Sequence, residues 1–230
     1  MSTYDFQKGE ILLVDKPLKW TSFDVVKKLR WQLKNKLGVK KIKVGHAGTL
    51  DPLATGLLVI CTGKKTKEIN DFIVEDKVYT GTIKVGSTTP SYDLESEINE
   101  TFKTGHINAV LLENARQHFI GEQQQTAPIF SAKKVNGVRA YELARKGEEV
   151  VLKSNTITIK DFKIESETFP DLKFYVNCSK GTYIRSLAND FGKQLGSGAH
   201  LTELRRTKSG EFTIENAKSI EEWIEIIQNN

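Results

Sequence analysis

Strand and helix patterns follow one another along this chain without a regular strand–helix–strand alternation. The strand patterns are short apolar runs or period-two alternations at residues 9–15, 57–62, 77–86, 156–164 and 172–178. Helical patterns follow Thr21 and cover residues 108–119, 182–195 and 219–230. Parallel sheets need a crossover, usually a helix, between paired strands. The order therefore predicts an α+β fold, with a largely antiparallel sheet flanked by helices and loops.

Size and charge narrow the class of protein. The chain has 230 residues and a formal net charge of +5, from 34 Lys and Arg against 29 Asp and Glu. A chain of this length can bury a core without disulfides or metal. This length suits one large domain or two small ones, and we expect a single domain over residues 1–230, with 206–230 as a short strand–helix tail, and a monomer. The positive charge favours a polyanionic partner.

Apolar runs along the chain are short. The longest, residues 11–14 and 57–61, fall far below the ~18 residues of a membrane span. The N-terminus is polar and carries Asp5 and Glu10, so it lacks the basic start and apolar centre of a signal peptide. We expect a cytoplasmic protein with no membrane partner. The two cysteines and four histidines lack zinc-site spacing, so we also expect no metal.

The first helical pattern carries a capping signal and a basic surface. Thr21 with Asp24 forms a capping box, and the predicted apolar face comprises Phe23, Val26, Leu29, Leu33 and Leu37. Residues 27–43 hold eight Lys or Arg and no acid. This run is either a solvated helix face or a surface for polyanions. Residues 123–137 are polar and hold Pro128 and Gly137, which predicts a long irregular excursion.

Two predicted elements place single residues of interest. The alternation of residues 77–86 puts Tyr79 on the apolar side of its strand. Arg185 lies in the first turn of the helix at 182–195, where a cation opposes the helix dipole by ~0.3–1 kcal/mol. That placement indicates a carboxylate or phosphate partner for Arg185.

Residues 45–56, GHAGTLDPLATG, form the most unusual stretch. The segment is not a P-loop, because Gly56 lies seven residues before Gly63 and Lys65 follows Lys64 where that motif requires Ser or Thr. Asp51 in this segment has two interpretations. It can cap a turn, or it can be a nucleophile whose ionised form a cation such as Arg185 maintains.

Segments spread over nearly the whole chain resemble the TruB-type tRNA pseudouridine synthases. Matching segments occur in the family's order as ILLVDKPLKWTS, GHAGTLDPLATGLL, KVYTGTIKVG, QQTAPIFSAKKVNGVRAYELARKG, and CSKGTYIRSLANDFG with GAHLTELRRTKSGEFT. The resemblance implies isomerisation of one uridine in the TΨC loop of tRNA (position 55) to pseudouridine, in a pseudouridine synthase fold. It also implies that the T-arm stem–loop is the partner and that no cofactor is used.

The resemblance further implies roles for individual residues. Asp51 matches the catalytic aspartate, Arg185 the arginine paired with it, and Tyr79 the tyrosine that stacks on the target base and assists proton removal. Tyr183 and Leu204 match residues of the uridine pocket. We expect a solvent-facing His46, which matches the residue that pushes into the RNA loop when bases flip outward.

The same resemblance implies which segments contact RNA, and it shows where this sequence departs from the family's usual pattern. The basic run 27–43 and the segment from Lys133–Lys134 to Arg145–Lys146 are predicted to contact RNA phosphates. Lys19 stands where the family usually has Gly, and Thr89–Pro90 where it more often has Asp between two Thr. Many relatives continue into a C-terminal PUA RNA-binding domain, which we do not expect here. Binding to the acceptor-stem side of tRNA should therefore be weaker.

Two other functions remain open on the residues alone. A non-catalytic tRNA-binding or RNA-folding module would need the basic surface but not Asp51 with Arg185. A glycoside hydrolase would need a second acid across the scissile bond, and the loop offers only Asp51.

Overall fold

The structure is a computed structural model that describes residues 4–131, 134–135, 138–139 and 152–230. Its helices are α1 (Ser22–Leu37), α2 (Ile69–Ile73), α3 (Ala109–His118), α4 (Ile184–Gln194) and α5 (Ile220–Asn229). Its strands are β1 (Ile11–Lys16), β2 (Val44–His46), β3 (Ala54–Thr62), β4 (Lys77–Val85), β5 (Ser87–Thr88), β6 (Glu100–Thr101), β7 (Gly121–Thr126), β8 (Lys134–Val135), β9 (Val138–Arg139), β10 (Ser154–Glu165), β11 (Asp171–Cys178), β12 (Ala199–Ser209) and β13 (Phe212–Thr213).

The chain divides into two compact units. The first comprises the described residues up to Tyr79 together with Leu204–Asn230, and the second comprises Thr80–Glu203. The expectation of a single catalytic domain stays a prediction. No helix in the described ranges is both long and apolar enough to cross a membrane.

The first unit is built on β3, whose central residues are fully buried. β1 pairs with β3 antiparallel from Ile11 opposite Cys61 to Lys16 opposite Gly56. β2 pairs with the far end of β3, and β12 runs parallel to its beginning. This arrangement sets the loop between β2 and β3 beside the C-terminal end of β1. The mixed, mainly antiparallel pairing agrees with the predicted fold class.

Helix α1 begins with the predicted capping box, in which Thr21 and Asp24 bond each other's backbone. Leu29 and Leu33 are fully buried, as expected, but Phe23 is 60% exposed. The assignment of Phe23 to the apolar face was wrong. The buried stripe of α1 is centred on the line of Ser22, Leu29 and Leu33, and Phe23 lies about 100° round the helix from Ser22.

The second unit contains the predicted hairpin of β10 and β11, paired antiparallel. It also corrects the sequence analysis, because residues 121–126 form strand β7, paired with β10 from Gly121 opposite Ile159 to Thr126 opposite Ser154. The polar composition of β7 hid this strand. Its amide side chains find partners within the fold, such as Thr156, which accepts a bond from Gln124 at 2.8 Å. Helix α4 packs Phe191 edge-on against Phe162 of β10, with ring centroids 5.6 Å apart.

Candidate active site

The loop between β2 and β3 is anchored immediately before Asp51. The Ser22 hydroxyl accepts a hydrogen bond from the Leu50 backbone N–H at 2.8 Å and donates one to the Leu50 carbonyl at 3.2 Å. Ser22 is itself buried as the first residue of α1. One side chain therefore fixes both backbone groups of the residue that precedes Asp51.

The loop is also anchored after Asp51. The Ala54 N–H donates to the Asp51 carbonyl at 3.1 Å, and the Lys19 N–H donates to the Pro52 carbonyl at 2.8 Å. The Asp51 residue is half-buried. Because the backbone is held on both sides, the direction of the carboxylate is constrained before any substrate arrives.

Lys16, at the end of β1, is a buried cation near this loop. Its ammonium donates to the Trp20 carbonyl at 2.6 Å and to the Pro17 carbonyl at 3.0 Å. Burial lowers the pKa of Lys16 to about 8, and the negative charge of Asp51 opposes that shift. With that pKa, Lys16 is still mostly charged at pH 7 and places a positive charge near the Asp51 loop. Sequence analysis missed Lys16, although a lysine closing an apolar strand before proline was a usable signal.

Arg206 of β12 supports the same loop from another side. Its side chain is buried and donates from Nε to the Leu57 carbonyl at 2.7 Å and from Nη2 to the Gly48 carbonyl at 3.2 Å. The parallel register that aligns Arg206 with Gly56 places Leu204 opposite Ala54. The structure thus brings Leu204, a predicted pocket residue, next to the end of the Asp51 loop.

Gly56 shows how tightly β3 and β12 approach. It has a φ of +99°, and a Cβ at this position would stand 2.3 Å from the Arg206 carbonyl oxygen.

We expect Gly56→Ala to lower the free energy of unfolding by about 2–4 kcal/mol, since steric overlap adds to left-handed strain. Urea unfolding measures this. Gly38→Ala is the matched control, because Gly38 has a φ of +62° with nothing within 4 Å. Equal destabilisation by both variants would contradict the close approach.

His46, the last residue of β2, is half-buried rather than solvent-facing as expected. Its backbone pairs with Ile60 of β3, so His46 lies within the sheet rather than in a free loop. Burial lowers the pKa of His46 below its usual 6.5, and the charge of Arg206 acts in the same direction. The neutral ring is therefore the stable form at pH 7.

The lowered pKa of His46 makes protein stability depend on pH in a direction that can be measured. The folded pKa of His46 is below the unfolded value, so its stabilisation is present above pH 6.5 and is lost as the pH falls below that value. We expect the ring proton resonance of His46, assigned by its absence in His46→Phe, to titrate with a midpoint below 6.5. The urea-unfolded protein supplies the reference. A folded midpoint above the unfolded one would contradict burial as the cause.

In the second unit, Arg185 is the second residue of α4 and is 3% exposed. Its guanidinium donates to the Ser91 carbonyl at 3.2 Å and to the Phe130 carbonyl at 3.0 Å. The carboxylate of Asp93 lies 3.7 Å from Nε, and Asp93 is also buried. The position of Arg185 at a helix N-terminus indicated an anionic partner, and Asp93 is one.

Sequence analysis missed Asp93. Residues 87–93 attracted notice only for departing from the family pattern, yet they form a hydrogen-bonded turn in which alternate residues, Asp93 among them, are buried. Thr89 Oγ1 donates to the Asp93 carbonyl at 2.7 Å, and the Glu95 N–H donates to Asp93 Oδ1 at 3.0 Å. An acid within a run of small polar residues was the available signal, but its partner lies 92 positions further along the chain.

Tyr183 is the N-cap of α4, so the helix begins two residues later than residue 182, where its pattern starts. The side-chain amide of Gln125 accepts from the Tyr183 N–H at 2.8 Å and donates to the Tyr183 carbonyl at 3.0 Å. Strand β7 thus fixes the backbone on which Tyr183 and Arg185 lie. Tyr79 is buried on β4 as the alternation predicted.

The predicted site residues are distributed over both units. His46, Asp51, Tyr79 and Leu204 belong to the first unit, and Tyr183 and Arg185 to the second. The pairing of Asp51 with Arg185 stays a prediction. Lys133, Arg145 and Lys146 lie outside the described residues. Among the described residues, no three His, Cys, Asp or Glu side chains cluster as a metal site would require.

Comparison with family models covers most of the chain. The model for the N-terminal domain of TruB family pseudouridylate synthases matches residues 34–184, and that for the C-terminal domain of tRNA pseudouridylate synthase B matches residues 185–229. The chain belongs to the TruB family. The resemblance found in the sequence motifs is thereby confirmed.

TruB relatives match over nearly their full length. The tRNA pseudouridine synthase B of Flavobacterium johnsoniae is 55% identical over 229 residues, which covers 99% of this chain and 100% of the relative. The tRNA pseudouridine synthase B of Phocaeicola vulgatus is 55% identical over 224 residues, which covers 96% of this chain and 95% of the relative. In a crystal structure of a Cbf5–Nop10–Gar1 complex, one chain is 28% identical with a TM-score of 0.71, and the match covers 96% of this TruB chain and 54% of that chain.

Proposed function

We propose that this protein isomerises one uridine in the TΨC loop of tRNA, at position 55, to pseudouridine. The observation that carries the proposal is the match at 55% identity to curated tRNA pseudouridine synthases B over 95% or more of both chains. The anchored Asp51 loop lies inside the matched region and supplies a rigid carboxylate. We further propose that the enzyme is cytoplasmic and monomeric, and binds the T-arm stem–loop.

In the proposed reaction, Asp51 is the nucleophile and adds to the base or to the sugar. The C1′–N1 glycosidic bond breaks, the uracil rotates, and a bond forms between C1′ and C5. The proton on C5 leaves and N1 gains one, so substrate and product have the same composition. A carboxylate attacks only when ionised, and the buried Lys16 ammonium supplies a positive charge near the Asp51 loop.

The remaining site residues have proposed roles in holding the base. The target uridine must leave its stack, at a cost of a few kcal/mol. We assign the neutral ring of His46 to the gap left in the RNA loop, and Tyr79, Tyr183 and Leu204 to the pocket for the uracil. Arg185 completes the site as the cation paired with Asp51.

The charge of the first unit supports an RNA partner. Four lysines surround a cavity of about 300 Å³ beside the start of the 3₁₀ turn at Gly63–Glu68, namely Lys41, Lys43, Lys64 and Lys67. Clustered lysines attract phosphates, and the release of counterions makes such binding weaken with salt. The cluster includes the last lysines of the basic run at residues 27–43 and adds Lys64 and Lys67, which follow β3.

The test is incubation of the purified protein with an unmodified tRNA transcript, followed by mapping of pseudouridine at nucleotide resolution. We expect one modified position, in the T loop, and no product from a transcript with cytidine there. Binding without pseudouridine would identify a non-catalytic RNA-binding module instead. Release of free uracil would identify a hydrolase.

A further inference from the structure

Helix α1 carries an aromatic and basic stripe on the face opposite its buried one. Asp24, Lys27, Lys28 and Trp31 follow the spacing i, i+3, i+4 and i+7, which places them on one side of a helix. All four are exposed, and Trp31 is 57% exposed. Leu29 and Leu33 fill the core from the other side, so the core does not account for Trp31.

This stripe forms one wall of a groove. Lys19 and Trp20, from the turn before α1, join Asp24, Lys27, Lys28 and Trp31 around a cavity of about 570 Å³, hereafter the α1 groove. Three lysines against one aspartate give its lining a net charge of +2. Asp24 is already bonded to Thr21 in the capping box, so the lysines are the charges available to a ligand.

The backbone of Lys19 adds an independent observation. Lys19 has a φ of +67°, a left-handed conformation that is unfavourable for a residue with a Cβ. The TruB family usually has glycine at this position, whereas this chain has Lys19, whose side chain lines the α1 groove. Strained residues are retained where they serve a site. The Lys19 N–H donates to the Pro52 carbonyl, which also joins the groove to the loop of Asp51.

Two indoles among three lysines match the chemistry of a nucleotide. Aromatic rings stack on bases of any sequence, and lysines neutralise the flanking phosphates. An acidic peptide would use the lysines but leave the indoles without a stacking partner. The volume is within the range of pockets that hold small organic ligands. In a duplex the base faces are covered, so the base must be unpaired.

We propose that the α1 groove binds an unpaired nucleotide of the RNA substrate, at a position other than the target uridine. The base stacks on Trp31 and Trp20, and Lys19, Lys27 and Lys28 contact its phosphates. The assignment of the ligand to substrate RNA rests on the proposed function. The groove thereby adds a second point of attachment in the first unit.

The first test is binding of an eight-residue oligouridylate, followed by tryptophan fluorescence. The third tryptophan, Trp223, is buried and bonded to the Leu13 carbonyl, so quenching reports Trp20 and Trp31. We expect Trp31→Ala to raise the Kd for the oligonucleotide and for tRNA by at least about fivefold. Trp31→Phe, which retains a ring, should recover most of the affinity. Phe23→Ala removes an equally exposed aromatic of α1 outside the groove, and should bind as wild type does.

The second test concerns the phosphates. Lys27→Gln with Lys28→Gln should reduce the slope of log K against log[salt] by about 1.4 for the single strand, at ~0.7 per phosphate contact. The exposed lysines Lys103 and Lys173 of the second unit supply a control pair with the same loss of charge. The control pair should leave the slope nearly unchanged.

Several results would overturn the proposal. They are wild-type affinity in Trp31→Ala, the same slope change in both lysine pairs, or competition by polyglutamate as effective as that by RNA. The wild type's isomerisation of tRNA is measured separately. If the wild type isomerises tRNA and Trp31→Ala does not change RNA affinity, the α1 groove proposal is refuted and the proposed function stands. If the oligonucleotide binds through Trp31 but the wild type does not isomerise tRNA, the proposed function is refuted and the groove remains a nucleotide site.

Discussion

Asp51→Asn should abolish pseudouridine formation, with a loss of at least about 10³-fold in the single-turnover rate. The amide has nearly the same shape as the carboxylate but cannot attack as an anion. The backbone around it is held by Ser22 and Lys19, so the loop should keep its position. Affinity for tRNA should consequently change little. Rapid-quench kinetics with tritiated tRNA, and filter binding of the same RNA, measure both quantities.

Asp71→Asn is the matched control for Asp51, because it makes the same change at an exposed acid of the first unit. It should isomerise uridine at the wild-type rate. Mass spectrometry of the Asp51→Asn protein must show the amide intact. Substantial single-turnover activity in that verified preparation would exclude Asp51 as the nucleophile.

Arg185→Lys should reduce turnover by at least about 100-fold, although it keeps the charge. The guanidinium reaches the Ser91 and Phe130 carbonyls through different nitrogens and has the Asp93 carboxylate beside Nε. A lysine ammonium is a single point and cannot reproduce this planar set of contacts. The cation would then be misplaced relative to the position that the proposed pairing with Asp51 requires.

Arg116→Lys provides the control for Arg185→Lys. Arg116 also belongs to the second unit and also combines a carboxylate partner, Glu113, with a backbone carbonyl, that of Phe162. Its replacement should leave turnover near wild type. Both variants are compared well below their melting temperatures, so loss of fold does not mimic loss of catalysis. Near-wild-type turnover of Arg185→Lys would refute the role of the guanidinium.

Local signals in the sequence predicted the elements that local interactions determine. The capping box of Thr21 and Asp24 marks the start of α1, and the helical pattern from residue 219 is realised in α5. The alternation predicted for β4 is realised at Ile83 and Val85, and Tyr79 is buried as expected, although Val78 beside it is buried too. These features depend on residues a few positions apart, and a linear pattern records them.

Strand β7 was hidden from sequence analysis for a physical reason. Its residues are polar, and it becomes a strand because β10 offers a partner edge about 30 positions away. The same holds for Phe23, whose exposure depends on which stripe of α1 meets the core. Propensity cannot decide either case, because tertiary pairing and packing override it.

By itself, the sequence determined the α+β class, the family, and the segment that carries Asp51, since motifs in order and helix caps are written along the chain. Only the tertiary structure decided which cations and carbonyls surround these residues. Lys16 and Arg206, which meet the Asp51 loop, lie 35 and 155 positions from Asp51 along the chain, and Asp93 meets Arg185 across 92 positions. Buried charges must find partners to offset desolvation, and those partners are chosen by the packing of strands and helices in space.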